Sequence, residues 1–440
     1  MKLKNTLLAA SVLASVAAFA TTASAGSHTS TITIATVNNG DMITMQGLMG
    51  DFNAKHPDIT VEWVTLEENV LRQNLTTDIS TGGGAYDILT IGTYEVPIWS
   101  NNGWLVSLND LPASYNVDDL IPAIRGGLSV DGNLFAAPFY GESSFTMYRK
   151  DLMEKAGLEM PAEPTWDFIR EAAMKMTDRD NEINGICARG KAGWGENMAL
   201  LTAMSNSFGA RWFDEEWNAQ FDGEAWANTV NFYLGMMEES GPAGAANNGF
   251  NENLTLFQQG KCGIWIDATS AGQFVVNADS TVADQVGFTL APDTGLGKRG
   301  NWLWAWSLAI PTSSQKQEAA KTFINWATGP AYSALVAESK GWVAVPPGTR
   351  TSLYENSNYL DAAPFAAATI ESMGTADPTN PTVDPVPYTG IQFVAIPEFA
   401  GIATQVGQEI SNALAGNQTG AEALAKSQEL TVEEMEAAGY

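Results

Sequence analysis

The chain has 440 residues, and its 50 acidic and 22 basic side chains give a formal net charge of −28 at pH 7. Such a charge repels phosphate backbones and anionic lipid headgroups, so we expect no nucleic acid partner. The length predicts two or three domains, with two lobes as the simplest arrangement.

The first 25 residues have the three parts of a secretory signal. Lys2 and Lys4 make a basic start, Leu7 to Ala20 form an apolar run, and Ala23 to Ala25 form a small-residue cleavage site. The apolar run is shorter than the roughly 20 residues that a membrane-spanning helix needs. We therefore expect residues 1–25 to be cleaved as a signal peptide and the mature protein to be periplasmic.

Strands and helices alternate in the part that follows. Strands are predicted at 31–37, 59–64 and 86–91, with helices at 42–53 and 71–80. This alternation predicts an α/β layer with a parallel sheet. Ligands of such sheets bind beyond the carboxyl ends of the strands, so the loops that follow the strands are candidate sites.

Helices dominate the middle of the chain, and strands return after it. The predicted helices lie at 166–176, 198–208, 224–237 and 317–327, and the predicted strands at 263–266, 286–290 and 302–310. The tail from 396 to 424 is predicted as helical with a break at Gly416. No repeat or long linker separates independent modules, which favours two α/β lobes that the chain crosses several times.

The residue types exclude several kinds of catalytic site. The only histidines, His28 and His56, lie near the start of the mature chain, which argues against a Ser-His-Asp triad or a zinc site. The sequence has no G-x-S-x-G, H-E-x-x-H or phosphate-binding loop, so we expect no cofactor and no metal. Carboxylates are abundant, and composition alone leaves a two-carboxylate glycosidase open.

Cys187 and Cys262 are the only cysteines. An even number in an exported chain predicts a disulfide, while two buried free thiols are the alternative. The bridge would close a long loop and stabilise the fold by about 4 kcal/mol in a chain-entropy estimate.

Aromatic and polar side chains suggest a carbohydrate site. Trp302, Trp304 and Trp306 alternate, so a strand places them on one face, either as a core face or as a wall for the C–H faces of a sugar. Hydroxyl groups also need polar partners, for which carboxylates accept and Arg and Asn donate. Candidate partners on loops beside strand ends are Asn39, Asp41, Glu95, Glu142, Asp267 and Arg350.

Several segments resemble the family 1 extracellular solute-binding proteins of ABC importers, the group that contains maltose-binding protein. The segment FNAKHPDITV at 52–61 is similar to the family pattern F-x-x-x-x-P-x-I-x-V. Further similar segments lie at 86–89, 103–108, 137–140, 147–151, 165–167, 257–263, 307–311 and 414–416. The similarity therefore extends over nearly all of the mature chain.

The resemblance implies a fold and a partner. It implies a two-lobed α/β periplasmic-binding-protein fold, like that of maltose-binding protein, with the ligand cleft between the lobes. The implied lobes are residues 26–138 plus 290–328 and residues 139–289 plus 329–440, with hinges near 139–140, 286–292 and 328–330. It also implies a non-catalytic, monomeric receptor that delivers its solute to a membrane permease.

Within the family, four segments look closest to the sorbitol- and mannitol-binding branch, at 189–197, 251–253, 265–269 and 341–350. This likeness implies a linear sugar alcohol as ligand. The binding residues that the family and this branch imply are Asn39, Tyr94, Glu95, Glu142, Arg189, Trp194, Glu196, Asn253, Asp267, Trp302, Trp304 and Arg350.

Other ligands and another function stay open at this point. Met42 stands where maltose-binding protein has a lysine, which argues against a maltodextrin. Arg189 and Arg350 keep a sugar acid open, and another carbohydrate is a further alternative. A secreted glycosidase that uses Glu95 and Glu142 is the reading from a different functional class.

Overall fold

The computed structural model describes residues 29–440, so the predicted signal peptide at 1–25 and His28 lie outside the described residues. The strands are β1 Ser30–Val37, β2 Ile59–Leu66, β3 Ile88–Ile91, β4 Ser129–Val130, β5 Asn133–Leu134, β6 Ala136–Glu142, β7 Ser144–Arg149, β8 Asn184–Cys187, β9 Cys262–Ala268, β10 Val286–Leu290 and β11 Trp304–Ala309.

Helices surround these strands. They are α1 Gly40–Gly47, α2 Met49–Lys55, α3 Glu68–Thr81, α4 Glu95–Asn101, α5 Pro122–Gly127, α6 Lys150–Lys155, α7 Trp166–Met176, α8 Asn197–Ser207, α9 Glu224–Ser240, α10 Phe250–Gln258, α11 Gly272–Val275, α12 Gln317–Thr328, α13 Pro330–Lys340, α14 Ser357–Ala362, α15 Ala366–Gly374, α16 Phe399–Leu414 and α17 Gly420–Ala438. Within residues 29–440, no helix has the length and apolar character that crossing a membrane requires.

Two mixed sheets form the centres of two lobes. The first sheet has the order β2-β1-β3-β11-β6, in which β1 is parallel to β2 and β3 while β11 is antiparallel to its neighbours. The second sheet has the order β10-β7-β9-β8. The edge strand β6 and the inner strand β9 are buried along their whole length, as expected for sheets that helices cover on both faces. The predicted two-lobed α/β architecture is confirmed.

Within the described residues, the chain passes between the two sheets at Ser143, between β6 and β7, and again between β10 and β11. A third crossing near 328–330, between α12 and α13, stays a prediction. The predicted lobe boundary after residue 138 falls inside β6, because this strand stays paired with β11 until Glu142. Likewise, Leu290 still pairs with β7 in the second sheet, so that crossing also begins after the predicted position.

The local predictions differ from the structure where the pattern of the sequence is weak. The predicted helix at 42–53 is divided into α1 and α2 after Gly47, a residue type that weakens helices. The strands β6, β7 and β8 were not predicted, since buried strands lack the alternation of polar and apolar residues that marks a half-exposed strand. By contrast, α7 and β10 have the predicted bounds.

Candidate functional site

A cavity of about 190 Å³ lies between the two lobes and is lined by residues of both. Side chains of the first lobe come from the ends of β1, β6 and β11 and from the first two turns of α3. Side chains of the second lobe come from the segment after β8, the start of α10 and the segment after β9. The cavity thus lies beyond strand ends, where the alternation of strands and helices placed the candidate loops.

Asn39 joins the end of β1 to the wall of the cavity. Its side-chain Oδ1 accepts a hydrogen bond from the Met42 amide at 3.0 Å and so caps α1, as Asn does at helix N-termini. Its Nδ2 donates to the Tyr140 hydroxyl at 3.0 Å. This pair ties the start of α1 to β6 inside the first lobe.

Arg72 is the cation of the first-lobe wall. Its guanidinium donates to Glu68 one helical turn earlier at 2.9 Å and to Glu95 at 2.5 Å. The guanidinium carbon lies 3.8 Å from the centre of the Trp194 ring and 4.6 Å from that of Trp306. The arginine therefore covers aromatic surface while both of its carboxylate partners compensate its charge.

Trp304 and Trp306 supply aromatic surface from β11. They pair in register with Glu142 and Tyr140 of β6, so both strands bring side chains to the cavity at the same level. A Cβ atom at Gly92 would lie 2.1 Å from the Trp304 ring, so only glycine at the end of β3 leaves room for this indole. The indole is thus both packed against the sheet and part of the wall.

Arg189 is the cation of the second-lobe wall. Its Nε and Nη2 donate to both oxygens of Asp267, the shortest contact being 2.6 Å, and its Nη1 donates to the Gly195 carbonyl at 2.7 Å. Burial disfavours the charge, but Asp267 outweighs that effect and holds the pKa of Arg189 above its usual value. Asp267 also accepts from the Trp265 indole at 3.1 Å. The geometry makes this arginine a rigid element of the wall.

Cys187 and Cys262 form a disulfide between β8 and β9, with their Cα atoms 5.8 Å apart. Arg189 lies shortly after the end of β8, and Asp267 lies within β9. The bridge therefore joins the two strands that carry the buried ion pair.

Two carboxyl groups of the cavity have raised pKa values. Burial raises the pKa of Glu142 to about 8, although the Ser270 hydroxyl donates to this carboxyl at 2.5 Å. Burial, and after it the charge of Glu68, raises the pKa of Glu196 to about 7. Among the described residues, Glu196 Oε2 has no hydrogen-bond partner. It offers an acceptor to a hydroxyl-bearing solute.

The lobes also contact each other directly around this cavity. Lys191 of the second lobe donates to Glu67 of the first at 2.5 Å. Asn69 Nδ2 donates to the Ala192 carbonyl at 3.1 Å. At a distance from the cavity wall, Gln273 of α11 donates to Asp41 of α1 at 3.0 Å. These contacts join the two lobes directly.

The structure brings about half of the predicted binding residues to the cavity wall. Those that line it are Asn39, Glu142, Arg189, Trp194, Glu196, Trp302 and Trp304. Within the described part of the chain, the other predicted binding residues do not line the cavity. These are Asp41, Tyr94, Glu95, Asn253, Asp267 and Arg350. Contact of any of these residues with a solute stays a prediction.

The six residues outside the wall have other partners or lie deeper in the fold. Glu95 and Asp267 hold the two wall arginines. Tyr94 donates to the Ile396 carbonyl at 3.0 Å, and Arg350 donates to backbone carbonyls near the predicted lobe crossing. Asn253 is fully buried on α10, and its amide atoms have no hydrogen-bond partner within residues 29–440.

Several residues that line the cavity are not among the predicted binding residues. Among them are Glu67, Glu68, Arg72, Tyr140, Lys191, Phe250, Asn251, Glu252, Ser270 and Gln392. Glu68 had a usable signal, because it begins the helix that directly follows β2, whereas Arg72 lies one turn further along that helix. No group of three or more His, Cys, Asp and Glu side chains in the described chain is arranged to hold a metal ion.

Comparison with known proteins places the whole architecture in a family. The model of the bacterial extracellular solute-binding protein family matches residues 38–334. The mannitol-binding protein of Pseudomonas aeruginosa is 54% identical over 411 residues, covering 93% of this chain and 94% of that protein. A solute-binding protein of Agrobacterium vitis S4, whose crystal structure contains D-mannitol, is 64% identical with a TM-score of 0.93, covering 93% of this chain and 99% of that one.

More distant structures share the fold. A maltose-bound protein of T. maritima is 21% identical with a TM-score of 0.76 and covers 91% of this chain and 98% of that one. This likeness confirms the predicted maltose-binding-protein-like fold. With the family match and the relative from Pseudomonas aeruginosa, it leads to one conclusion: the chain belongs to the bacterial extracellular solute-binding proteins.

Proposed function

We propose that this protein binds a linear sugar alcohol, with D-mannitol as the first candidate, and delivers it to the permease of an ABC importer. The observation that carries the proposal is the small cavity between the lobes, with aromatic faces and charged hydrogen-bonding groups on both sides. The mannitol-binding relatives, at 54% and 64% identity, support the choice of ligand.

The size of the cavity favours a single small solute. Its volume of about 190 Å³ lies below the roughly 300–1,000 Å³ of pockets that take drug-sized ligands. A solute with one hydroxyl on each carbon needs donors and acceptors along its whole length. Arg72 and Arg189 supply donors, while Glu142 and Glu196 supply acceptors.

The charges of the cavity argue against a sugar acid. Even without Glu142 and Glu196, whose pKa values are raised, the lining carboxylates of Glu67, Glu68 and Glu252 match the three cations of Arg72, Arg189 and Lys191 in number. Since Asp267 and Glu95 also compensate the two arginines, an anionic solute would meet little uncompensated positive charge.

The same contacts argue against a glycosidase. Glu95 accepts from the Gly92 amide at 2.9 Å as well as from Arg72, so its carboxylate is engaged inside the first lobe. It is therefore poorly placed to serve with Glu142 as a catalytic pair. We propose a non-catalytic, monomeric receptor, active in the periplasm once residues 1–25 are removed.

Isothermal titration calorimetry of the mature protein tests the proposal. The panel contains D-mannitol, D-sorbitol, ribitol, maltose and D-mannonate, and each mixture is analysed for products by chromatography. We expect saturable binding of a hexitol and no product. Binding of maltose or D-mannonate without binding of any polyol would refute the proposal, and product formation would support a glycosidase. Light scattering with and without solute tests the monomer.

A further inference from the structure

The strongest feature that the proposed function does not use is the position of Arg72 on the aromatic wall. Its guanidinium carbon lies 3.8 Å from the ring centre of Trp194, 4.6 Å from that of Trp306 and 5.1 Å from that of Trp304. One side chain thus stands over indoles of both lobes. A ligand cannot stack on the part of an indole face that the guanidinium already covers.

We propose that Arg72 makes the cavity selective for open-chain polyols over sugar rings, because its guanidinium occupies the indole surface on which a pyranose would stack. This inference rests on the proposed function, since it assigns the selectivity of the same cavity.

The guanidinium of Arg72 lies in van der Waals contact with the indole of Trp194. Non-bonded atoms approach to roughly 3.5–4.0 Å, and the guanidinium already lies at that distance from the Trp194 ring. A pyranose ring that stacks on an indole needs this same layer of space. The guanidinium and a sugar ring therefore cannot both stack on the same face of this indole.

Arg72 cannot easily move aside. Glu68 and Glu95 hold its Nε, Nη1 and Nη2 atoms, and only 9% of its side chain is exposed. The backbone of the second lobe also packs against this ion pair, since a Cβ atom at Gly195 would lie 2.0 Å from Glu68 Oε1 and 3.1 Å from Arg72 Nε. Displacement would break two ion pairs in a nearly dry site, which is strongly unfavourable.

The same arginine suits an open chain. A guanidinium carries five N–H donors in a planar fork, and the bonds to Glu68 and Glu95 use one hydrogen on each of its three nitrogens. The remaining two N–H groups suit neighbouring hydroxyls of an extended polyol, which needs no flat aromatic face.

Calorimetry with a matched pair of solutes tests this selectivity. D-mannitol is compared with 1,5-anhydro-D-mannitol, which has the same carbon chain closed into a ring, on the wild-type protein and on Arg72→Lys. Lysine keeps the positive charge that Glu68 and Glu95 require but lacks the planar group. We expect wild-type protein to prefer D-mannitol and Arg72→Lys to reduce the ratio of the two affinities at least tenfold.

Two further variants complete the test. Glu95→Gln removes one carboxylate that orients Arg72 and should reduce the ratio in the same direction by a smaller factor. Arg170→Met is the matched control, because Arg170 also pairs with a carboxylate, Glu239, and lies 5.4 Å from the centre of the Phe232 ring, but away from the cavity. The ratio of the two affinities in Arg170→Met should equal that of the wild-type protein. Thermal unfolding checks that each variant is folded.

The outcomes separate this inference from the proposed function. Equal wild-type affinity for the two solutes, or an unchanged ratio in folded Arg72→Lys and Glu95→Gln, would overturn the role of Arg72 while leaving polyol binding intact. If Arg72→Lys lowers the affinity for both solutes by the same factor, Arg72 binds both without distinguishing between them. That result would also overturn the selectivity. Absence of wild-type binding to any polyol would instead refute the proposed function itself.

Discussion

The two walls of the cavity each contain a buried arginine, but they hold it in different ways. Arg189 in the second lobe is bound by both oxygens of Asp267, and the disulfide joins the two strands concerned. Arg72 in the first lobe is held by two separate carboxylates and by contact with indoles. The second wall is therefore a rigid framework, whereas the first depends on aromatic packing that includes the opposite lobe.

Among the variants that test this difference between the two walls, removal of Asp267 should have the largest effect on stability. Asp267→Ala leaves Arg189 buried without its carboxylate, so the free energy of unfolding should fall by about 3–5 kcal/mol. Chemical denaturation of the protein without solute measures this loss. Glu239→Ala, which breaks the half-exposed pair with Arg170, is the control and should cost less than about 1 kcal/mol.

A direct ligand contact of Asp267 would give a different result. Affinity for D-mannitol would then fall at least tenfold while stability stayed near that of wild type, because a lost hydrogen bond to a charged group is worth about 1.5–3 kcal/mol. That combination would contradict the supporting role that the geometry assigns to Asp267.

Breaking the disulfide should weaken the second wall next. The double variant Cys187→Ser and Cys262→Ser should lower the free energy of unfolding by about 2–4 kcal/mol, since the unfolded chain regains the freedom of a long loop. Intact mass after alkylation, with and without reductant, checks the bridge in exported protein. Two alkylated thiols without reductant would rule it out, and equal stability of both forms would remove its structural role.

The free energy of unfolding should depend on pH through the titration of Glu142. Burial raises its pKa from 4.5 to about 8, so the folded protein holds this proton more tightly than the unfolded chain. The resulting stabilisation is complete below the unfolded pKa and is lost as the pH rises through the folded pKa. We expect this group to contribute a decrease of at most ~1.4 kcal/mol per pH unit in that window.

Denaturation over a pH series measures this slope. Glu142→Gln should flatten it, whereas Glu338→Gln, on the exposed side of α13, should leave it unchanged. A slope that is identical in wild type and Glu142→Gln would show that the buried carboxyl does not titrate in this range.

The smallest effect is expected at the rim, where Lys191 meets Glu67. Both side chains are partly exposed, at 28% and 42%, so solvent and salt screen their attraction. Glu67→Gln should lower the affinity for D-mannitol less than about fivefold, which corresponds to about 1 kcal/mol. The difference should vanish at high salt in calorimetry. A loss that persists there would point to a direct solute contact instead.

The sequence predicted the fold well where its signals are local. The helix α7 begins after a Thr165 cap and has a strong apolar stripe, so its bounds were predicted correctly. The neighbouring strands β6 and β7 were missed, because strands that are buried on both faces show no alternation.

The site was less predictable than the fold, since it depends on which side chains meet across the lobes. Arg189 was implied by a family segment, but Arg72 lies on a helix whose amphipathic pattern marks Leu71, Leu75 and Ile79 as core and gives no sign of Arg72. Its role depends on indoles more than a hundred residues away in the chain. No spacing rule relates such positions, so only the folded arrangement brings them to attention.

The hydrogen bond between Gln273 and Asp41 has a consequence for how this receptor can adapt. It connects the lobes away from the cavity wall, so it stabilises the form in which the lobes meet. The apparent affinity of a two-state receptor depends on the fraction of molecules already in the competent form. Substitutions at this remote contact would therefore retune the working concentration range for every solute alike, leaving the choice among solutes to the cavity.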